Sequence, residues 1–479
     1  MKFSSYAVFV DNRGFRFVVL ASLLLFALLT NTSAQKATSL TLHLNQPGAA
    51  LNINKVTSLS VGGLDSSTFW ADRGPDIQAL KPKIIRFFAQ EYMDEYPAVN
   101  TYNWTKMDAW VDLIHSTGAD ALVDITFKPK VLYPVIDPSV MYPNDWTQWD
   151  NLVYNMVLHY KQRGTPIRYW EFGDECEIGE DSGCPYQCDT TAKNYNLWYD
   201  HMARAVKLAD STALVGGPAA STPGLTTLPD LLTYVDTNHV PIDFVSWHNY
   251  TNDPHDYFLN GQTYRQLLAQ HPSLGAVQTF LGEWNTDLFN PPTNPQFQPT
   301  FIAEAAYWMK QGGVDLGGYY HIRDIHVSYS VFSQFMTPAG AQSMVNWWDG
   351  NQVDGIYDFN DNVRPSYYSF QLLSQLTGSS LPLQLDPHNS AVHGLATYDS
   401  TLQQYNLVLT NFSNTPARVT LTLQGASSSL TMTQTILDAS GSDPNAWLQP
   451  QPPVSVPLGT TQVRVTLGKY GESLLTFIK

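Results

Sequence analysis

Between about residues 57 and 380 the chain alternates two hydrophobic patterns. One is a short, nearly continuous apolar run. It recurs at Leu59 to Gly63, Ile84 to Phe88, Ala121 to Ile125, Arg168 to Gly173, Ala213 to Gly217, Phe244 to His248, Gln278 to Glu283 and Leu316 to Tyr320. Runs of this kind suit parallel strands covered on both faces. The other pattern has an apolar residue every three or four positions. Trp104 to Ser116 places Met107, Trp110, Val111 and Ile114 on one helical face, and Gly118 follows as a stop signal. Asp150 to Arg163, Asn194 to Ala209 and Ala303 to Gln311 repeat it. Eight strand-then-helix units predict an α/β fold of the TIM-barrel class, (β/α)8, over residues 57–380. A doubly wound sheet would need a phosphate-binding glycine loop after its first strand, and Val61-Gly62-Gly63-Leu64 does not supply one.

The pattern differs at both ends. Residues 39–56 (SLTLHLNQPGAALNINKV) predict two short strands about a Pro-Gly turn, a β-hairpin within 35–56. From 381 to 479, alternating or β-branched runs such as Tyr405 to Thr410, Ala417 to Leu423, Gln462 to Leu467 and Ser473 to Ile478 are separated by Ser, Asn, Gly and Pro. That texture predicts an all-β sandwich, packed with the hairpin against the barrel.

Residues 1–34 read as a secretory signal. Lys2, Arg13 and Arg16 form a basic start, Phe17 to Leu29 is apolar apart from Ser22, and Thr32-Ser33-Ala34 precedes a plausible cleavage point. The run is short for a membrane span, so a secreted, extracellular or periplasmic protein without a membrane partner is expected. Its removal leaves 23 basic and 41 acidic side chains, a net charge of −18. A surface that acidic repels phosphate backbones, which argues against nucleic acid as a partner. Cys176, Cys184 and Cys188 lie in one loop. An oxidising compartment would pair two of them and leave one thiol, whereas C-x7-C-x3-C is not a usual zinc spacing. The acidic cluster Glu177, Glu180 and Asp181 reads as a solvated loop rather than a calcium site, so neither a metal nor a cofactor is implied.

Catalytic groups of such barrels stand at the C-terminal ends of the strands. Two predicted strands end in glutamates beside aromatic residues: Tyr169-Trp170-Glu171-Phe172-Gly173-Asp174-Glu175 and Phe280-Leu281-Gly282-Glu283-Trp284-Asn285. Two carboxylates facing each other across a barrel mouth are what glycoside hydrolysis requires, with a carbohydrate as substrate.

These segments resemble clan A of the glycoside hydrolases, and most of all family 39, which includes β-xylosidases and α-L-iduronidases. Asn103 to Asp108 continuing to Asp124 to Pro129, Trp170 to Glu175, Phe244 to Tyr250, Gly282 to Asn285 and Arg364 to Tyr368 follow the order of that family's motifs over residues 55–380. The resemblance implies a retaining mechanism with Glu175 as acid/base and Glu283 as nucleophile. It places Arg86 near the nucleophile, with a buried pairing to Glu171 as the alternative, and His248 and Tyr250 on the sixth strand, the tyrosine hydroxyl bonded to the nucleophile. Three departures stand out. Asp174 replaces an asparagine that contacts the sugar 2-hydroxyl, and ionised it can only accept. Cys176 replaces a proline after the acid/base. Tyr320 or His321 stands where a tryptophan usually floors the sugar. Among the aromatics, Trp247 and Trp284 are expected to stack on the sugar because they sit at strand mouths. Arg323 is expected to pair with Asp324 or Glu180 rather than bind a uronic acid.

Two other readings share these residues. A non-catalytic carbohydrate-binding protein would keep the fold and lack turnover. A clan A α-L-arabinofuranosidase would use the same glutamates on another sugar. Metalloprotease and serine-hydrolase readings lack their H-E-x-x-H and G-x-S-x-G signatures.

Overall fold

Strand β1 (Lys36–His43) precedes eight parallel strands that pair in chain order and close on themselves. These are β2 (Ser58–Ser60), β3 (Ile84–Ala89), β4 (Asp120–Ile125), β5 (Tyr169–Phe172), β6 (Leu214–Ala220), β7 (Phe244–Tyr250), β8 (Gln278–Asn285) and β9 (Leu316–Tyr320). Helices α1 (Gly74–Leu80), α2 (Thr105–Ser116), α3 (Trp146–Arg163), α4 (Lys193–Ala209), α5 (Thr227–Asn238), α6 (Asp256–Leu268) and α7 (Phe297–Gly312) alternate with them. After β9 come α8 (Tyr329–Phe332), α9 (Pro338–Gly350) and α10 (Pro365–Leu373). The protein is thus a TIM barrel with an all-β C-terminal part, seen in a computed structural model that describes residues 36–62, 69–188, 193–350, 355–459 and 461–479. The signal segment read at 1–34 lies outside the described residues. No described helix is long and apolar enough to cross a membrane.

The four helices read from periodicity form, two of them starting earlier, at Trp146 and Phe297, and local chemistry ends them. In α2 the buried residues are Met107, Trp110, Val111 and Ile114. At the start of α3 the Asp145 carboxylate accepts from the Gln148 N–H, and Gly164 closes the helix in the left-handed region.

Strand alternation sorts the barrel interior into layers. Ile84, Leu122, Tyr169, Phe244, Phe280 and Leu316 pack into an apolar plug. Two residues further along their strands, Arg86, Asp124 and Glu171 form a polar layer above it, fully buried. A much larger core lies outside, between strands and helices.

The C-terminal part is two sheets. One has the order β11-β1-β14-β18, with β11 (Leu383–Gln384), β14 (Ala417–Gln424) and β18 (Gln462–Leu467). The other runs β10-β12-β13-β19-β15-β16, with β17 paired to β15. Its members are β10 (Ser379–Ser380), β12 (Val392–Asp399), β13 (Gln404–Asn411), β15 (Leu430–Leu437), β16 (Leu448–Pro450), β17 (Val454–Val456) and β19 (Gly471–Ile478). Between the sheets Leu40, Leu42, Leu407, Leu421, Leu475 and Phe477 share one core.

The N-terminal hairpin expected at 35–56 does not form. β1 is parallel to β14 on one side and antiparallel to β11 on the other, so both of its hydrogen-bonding edges are taken. The segment after the Pro-Gly turn makes only a bridge from Ala50 to Ser379 and a short 3-10 turn, Ile53–Lys55, whose Ile53 joins the barrel core.

The two parts are tied by buried polar contacts. Glu304 on α7 holds His393 Nδ1 at 2.9 Å and accepts from the Thr410 hydroxyl. Gln296 Nε2 donates to the Leu437 carbonyl at 2.7 Å.

Candidate active site

Arg86 is the centre of the mouth. Its place on β3, two residues above the apolar plug, points the guanidinium into the barrel, where it is fully buried. Nε donates to Glu171 Oε2 at 2.5 Å and Nη1 to Glu283 Oε1 at 2.8 Å. Nη2 donates to both Asp124 Oδ2, at 2.7 Å, and Asp174 Oδ1, at 2.8 Å. The guanidinium carbon lies 4.5 Å from the centre of the Phe88 ring. Arg86 contacts both Glu283 and Glu171, the two neighbours considered for it from the sequence. One cation thus faces four buried carboxyl groups.

Glu175 follows a sharp exit from β5. Gly173 turns the chain at φ +76°, and a Cβ there would crowd Tyr195 and Trp198. Glu175 itself is held at φ +44°, a strained value for a side-chain-bearing residue. Its N–H donates to the Ala219 carbonyl, and its own carbonyl receives the N–H groups of Ile178 and Gly179. Beyond it, the Cys176–Cys188 disulfide closes the loop, leaving Cys184 as a buried free thiol.

His248 on β7 bridges the two glutamates. Its Nδ1 stands 2.6 Å from Glu175 Oε1 and 3.6 Å from Glu283 Oε2. Those two oxygens are therefore no farther apart than the sum of these distances. The Tyr250 hydroxyl donates to Glu283 Oε2 at 2.6 Å.

Electrostatics separates the pair. Burial pushes the Glu175 carboxyl well above the usual range, and the charges of Asp174 and Glu283 add to it. Glu283 is also raised by burial, but Arg86 and the Tyr250 hydroxyl pull it back. Burial and the Arg86 charge hold His248 well below its ordinary value, which favours the neutral imidazole. Of the two glutamates, Glu283 ionises first. Pairs whose surroundings drive them apart in this way mark acid and base roles.

The pair opens into a cavity of about 470 Å³. Asp174, Glu175, Tyr250, Glu283 and Tyr320 line it, with Phe88, Gln90, Phe289, Trp347 and Trp348. Gly62 makes room for this wall, since a Cβ there would strike both the Tyr320 hydroxyl and the Trp348 ring. Sequence reasoning did not find Trp347 or Trp348, which arrive from α9.

Two sequence expectations fail here. Trp247 and Trp284 are fully buried and absent from the cavity wall. Each follows or precedes an inward-facing residue, His248 or Glu283, so strand alternation sends its ring outward. Trp247 packs on Tyr264, and Trp284 on Tyr257, Tyr319 and Phe370. Arg323 pairs with Asp72 at 2.8 Å and Asp361 at 3.0 Å rather than with Asp324 or Glu180. Arg364 takes Asp324, and Glu180 accepts from the Thr337 N–H and hydroxyl. Tyr320 faces the cavity, while His321 is buried behind it beside Trp348 and Asp324.

Asp174, His248 and Glu283 bring ligand atoms within 4.8 Å of one another. Arg86 already donates to an oxygen of each carboxylate in that group, and a dication beside a buried guanidinium is repelled.

Comparison with known proteins agrees with this geometry. A β-xylosidase of Geobacillus stearothermophilus is 27% identical over 256 residues, 47% of this chain and 49% of the relative. One of Caldicellulosiruptor saccharolyticus is 22% identical over 335 residues, 65% of this chain and 64% of the relative. The matched stretch thus spans about half to two thirds of those relatives. The crystal structure of a monomeric β-xylosidase from Caulobacter crescentus shares the fold, with a TM-score of 0.70 at 17% identity, covering 92% of this chain and 99% of that one. The model of glycosyl hydrolases family 39 matches residues 88–454, most of the chain, so with its barrel mouth and its motifs the chain belongs to glycosyl hydrolase family 39.

Proposed function

We propose that the protein is an exported retaining glycosidase that removes β-xylosyl units from plant or microbial oligosaccharides. The observation that carries the reading is the Glu175–His248–Glu283 contact. Two carboxyl groups meet at one cavity, one poised to hold a proton and the other to lose it. The sum of the two His248 distances, 2.6 and 3.6 Å, bounds their nearest oxygens below the roughly 6.5 Å at which inverting spacing begins. That bound supports retention.

In this mechanism Glu283, with Arg86 at one oxygen and Tyr250 at the other, attacks the anomeric carbon. Glu175 gives its proton to the departing oxygen as the glycosidic bond breaks. Water then enters, Glu175 takes its proton, and the bond from Glu283 to the sugar is cleaved. The Tyr250 phenol is itself raised well above its ordinary range by burial and the Glu283 charge, so it stays a donor. The β-xylosyl choice rests on the two named relatives. Export rests on residues 1–34 and on the paired Cys176 and Cys188, which suit an oxidising compartment.

A panel of aryl glycosides, assayed with wild type and Glu283→Ala, tests the reading. Hydrolysis of an aryl β-xyloside by wild type, lost in the variant, is expected. Sugar binding without turnover on every glycoside would leave a carbohydrate-binding protein instead, and preference for an α-L-arabinofuranoside would replace the sugar.

A further inference from the structure

We propose that the outer part of the cavity is a site for an apolar aglycone, a collar of Ile178, Leu288, Phe289, Met344 and Trp347, which extends the substrate class beyond oligosaccharides to glycosides of lipophilic alcohols. The inference rests on the glycosidase reading above and names the leaving group that the site takes.

The first ground is position. In the glycosidase reading Glu175 protonates the departing oxygen, so the leaving group lies on the Glu175 side of the sugar. The collar is built on that side. Ile178 belongs to the turn after Glu175 and donates its N–H to the Glu175 carbonyl at 2.9 Å. The same loop holds α9, because Glu180 accepts from the Thr337 N–H at 2.6 Å and from its hydroxyl at 2.5 Å, and Ser343 donates to Asp181 Oδ1 at 3.1 Å. α9 thereby presents Met344 and Trp347 to the cavity. Phe289, in the segment after β8, meets Trp347 edge to face at 5.4 Å and carries the collar across the mouth.

The second ground is chemistry. Phe289 is 78% exposed and Ile178 45%, although both line the cavity. One exposed apolar side chain is ordinary, but five apolar residues from three segments around a single opening make a patch that gains by being covered. A further sugar would need hydrogen-bond donors here. The hydroxyls in this stretch of wall are already engaged, Ser182 with the Gly179 carbonyl at 2.7 Å and Ser343 with Asp181. The acids on the wall are Asp174, Glu175, Asp181 and Glu283, and no described lysine or arginine lines it. An anionic leaving group is therefore repelled, and a neutral apolar one fits.

The test compares hexyl with methyl β-xyloside. The two release alcohols of similar acidity, so the ratio of their kcat/KM values reads the aglycone site rather than leaving-group chemistry. Burial of about three methylene groups should put the hexyl compound ahead by roughly 10- to 100-fold. Phe289→Ser, at a largely exposed position, should cut that advantage several-fold, and Trp347→Ala should bring the ratio to within about threefold of unity. A ratio near unity in wild type, or a large ratio that neither variant lowers, overturns the proposal. Hexyl and methyl 1-thioglycosides of each sugar in the aryl panel, titrated by calorimetry, read the collar without turnover. Tighter binding of the hexyl compound, weakened in both variants, supports the collar even where no aryl glycoside is hydrolysed, and that combination would sink the hydrolase reading alone. Hydrolysis of an aryl glycoside, with hexyl and methyl ligands bound equally well, would sink the collar alone.

Discussion

At the scale of single residues, the mouth works through unequal sharing of donors. Glu283 is kept ionisable by Arg86 and Tyr250, while Glu175 meets the charges of its neighbours. Tyr250→Phe removes the donor to Glu283 Oε2 without changing the shape of the wall. The ionised form loses a bond, so the pKa of Glu283, the proposed nucleophile, rises. The acid limb of kcat/KM therefore moves to higher pH, and kcat/KM falls about tenfold or more. An unmoved acid limb would show that Tyr250 does not support the charge of Glu283. Arg86→Met has a different signature. It leaves Asp124, Glu171, Asp174 and Glu283 without their cation and should cost about 3–5 kcal/mol of stability. The deficit should shrink as pH falls, because protonation removes the unpaired charges. Urea unfolding of wild type and variant at two pH values measures both.

At the scale of elements, the loop after β5 positions Glu175, the proposed acid. It leaves the strand through Gly173, holds Glu175 in a left-handed backbone conformation and returns through the Cys176–Cys188 disulfide. Cys188→Ser should lower stability by about 2–4 kcal/mol. It should also reduce kcat more than it raises KM, because the freed loop carries Glu175, the proposed proton donor, and leaves the Tyr250 and Glu283 wall on β7 and β8 alone. Equal stability of the variant and wild type in denaturant titrations would show that the bridge constrains nothing. Much of this element-level design was legible. Apolar runs located the eight strands, because a parallel barrel covers both strand faces, and glutamates at two strand ends marked the mouth. The outward turn of Trp247 and Trp284 was legible in principle as well, since neighbours on a strand face opposite ways. Trp347 and Trp348 were not. They sit on α9, and the path that carries that helix over the mouth is set by a loop with no periodic signal. The pairing of Arg323 was hidden for the same reason: Asp72 and Asp361 come from distant segments. The failed hairpin belongs here too, since the edges of β1 are filled by strands more than three hundred residues away.

At the scale of the whole molecule, barrel and sandwich meet over buried acids. Glu472 on β19 receives the Ser369 hydroxyl of α10, and burial raises its carboxyl to about 8. Burial likewise raises Glu91, at the barrel mouth, to about 8. An acid whose folded pKa is raised binds its proton more tightly when folded. Its stabilising effect is present below the ordinary value near 4.5 and is lost as pH rises toward about 8. Global stability should therefore decline across that window, and Glu472→Gln should flatten the decline. Urea midpoints from acid to mildly alkaline pH check it, and an unchanged slope in the variant would exclude Glu472 as a source. The central claim concerns neither stability nor fold but the bond that Glu283 forms. A 2-fluoro xyloside with a good leaving group should trap the enzyme covalently, and mass spectrometry of its peptides should find the added sugar on Glu283. A sugar carried by any other carboxylate, Glu175 included, would contradict the assignment of nucleophile and acid.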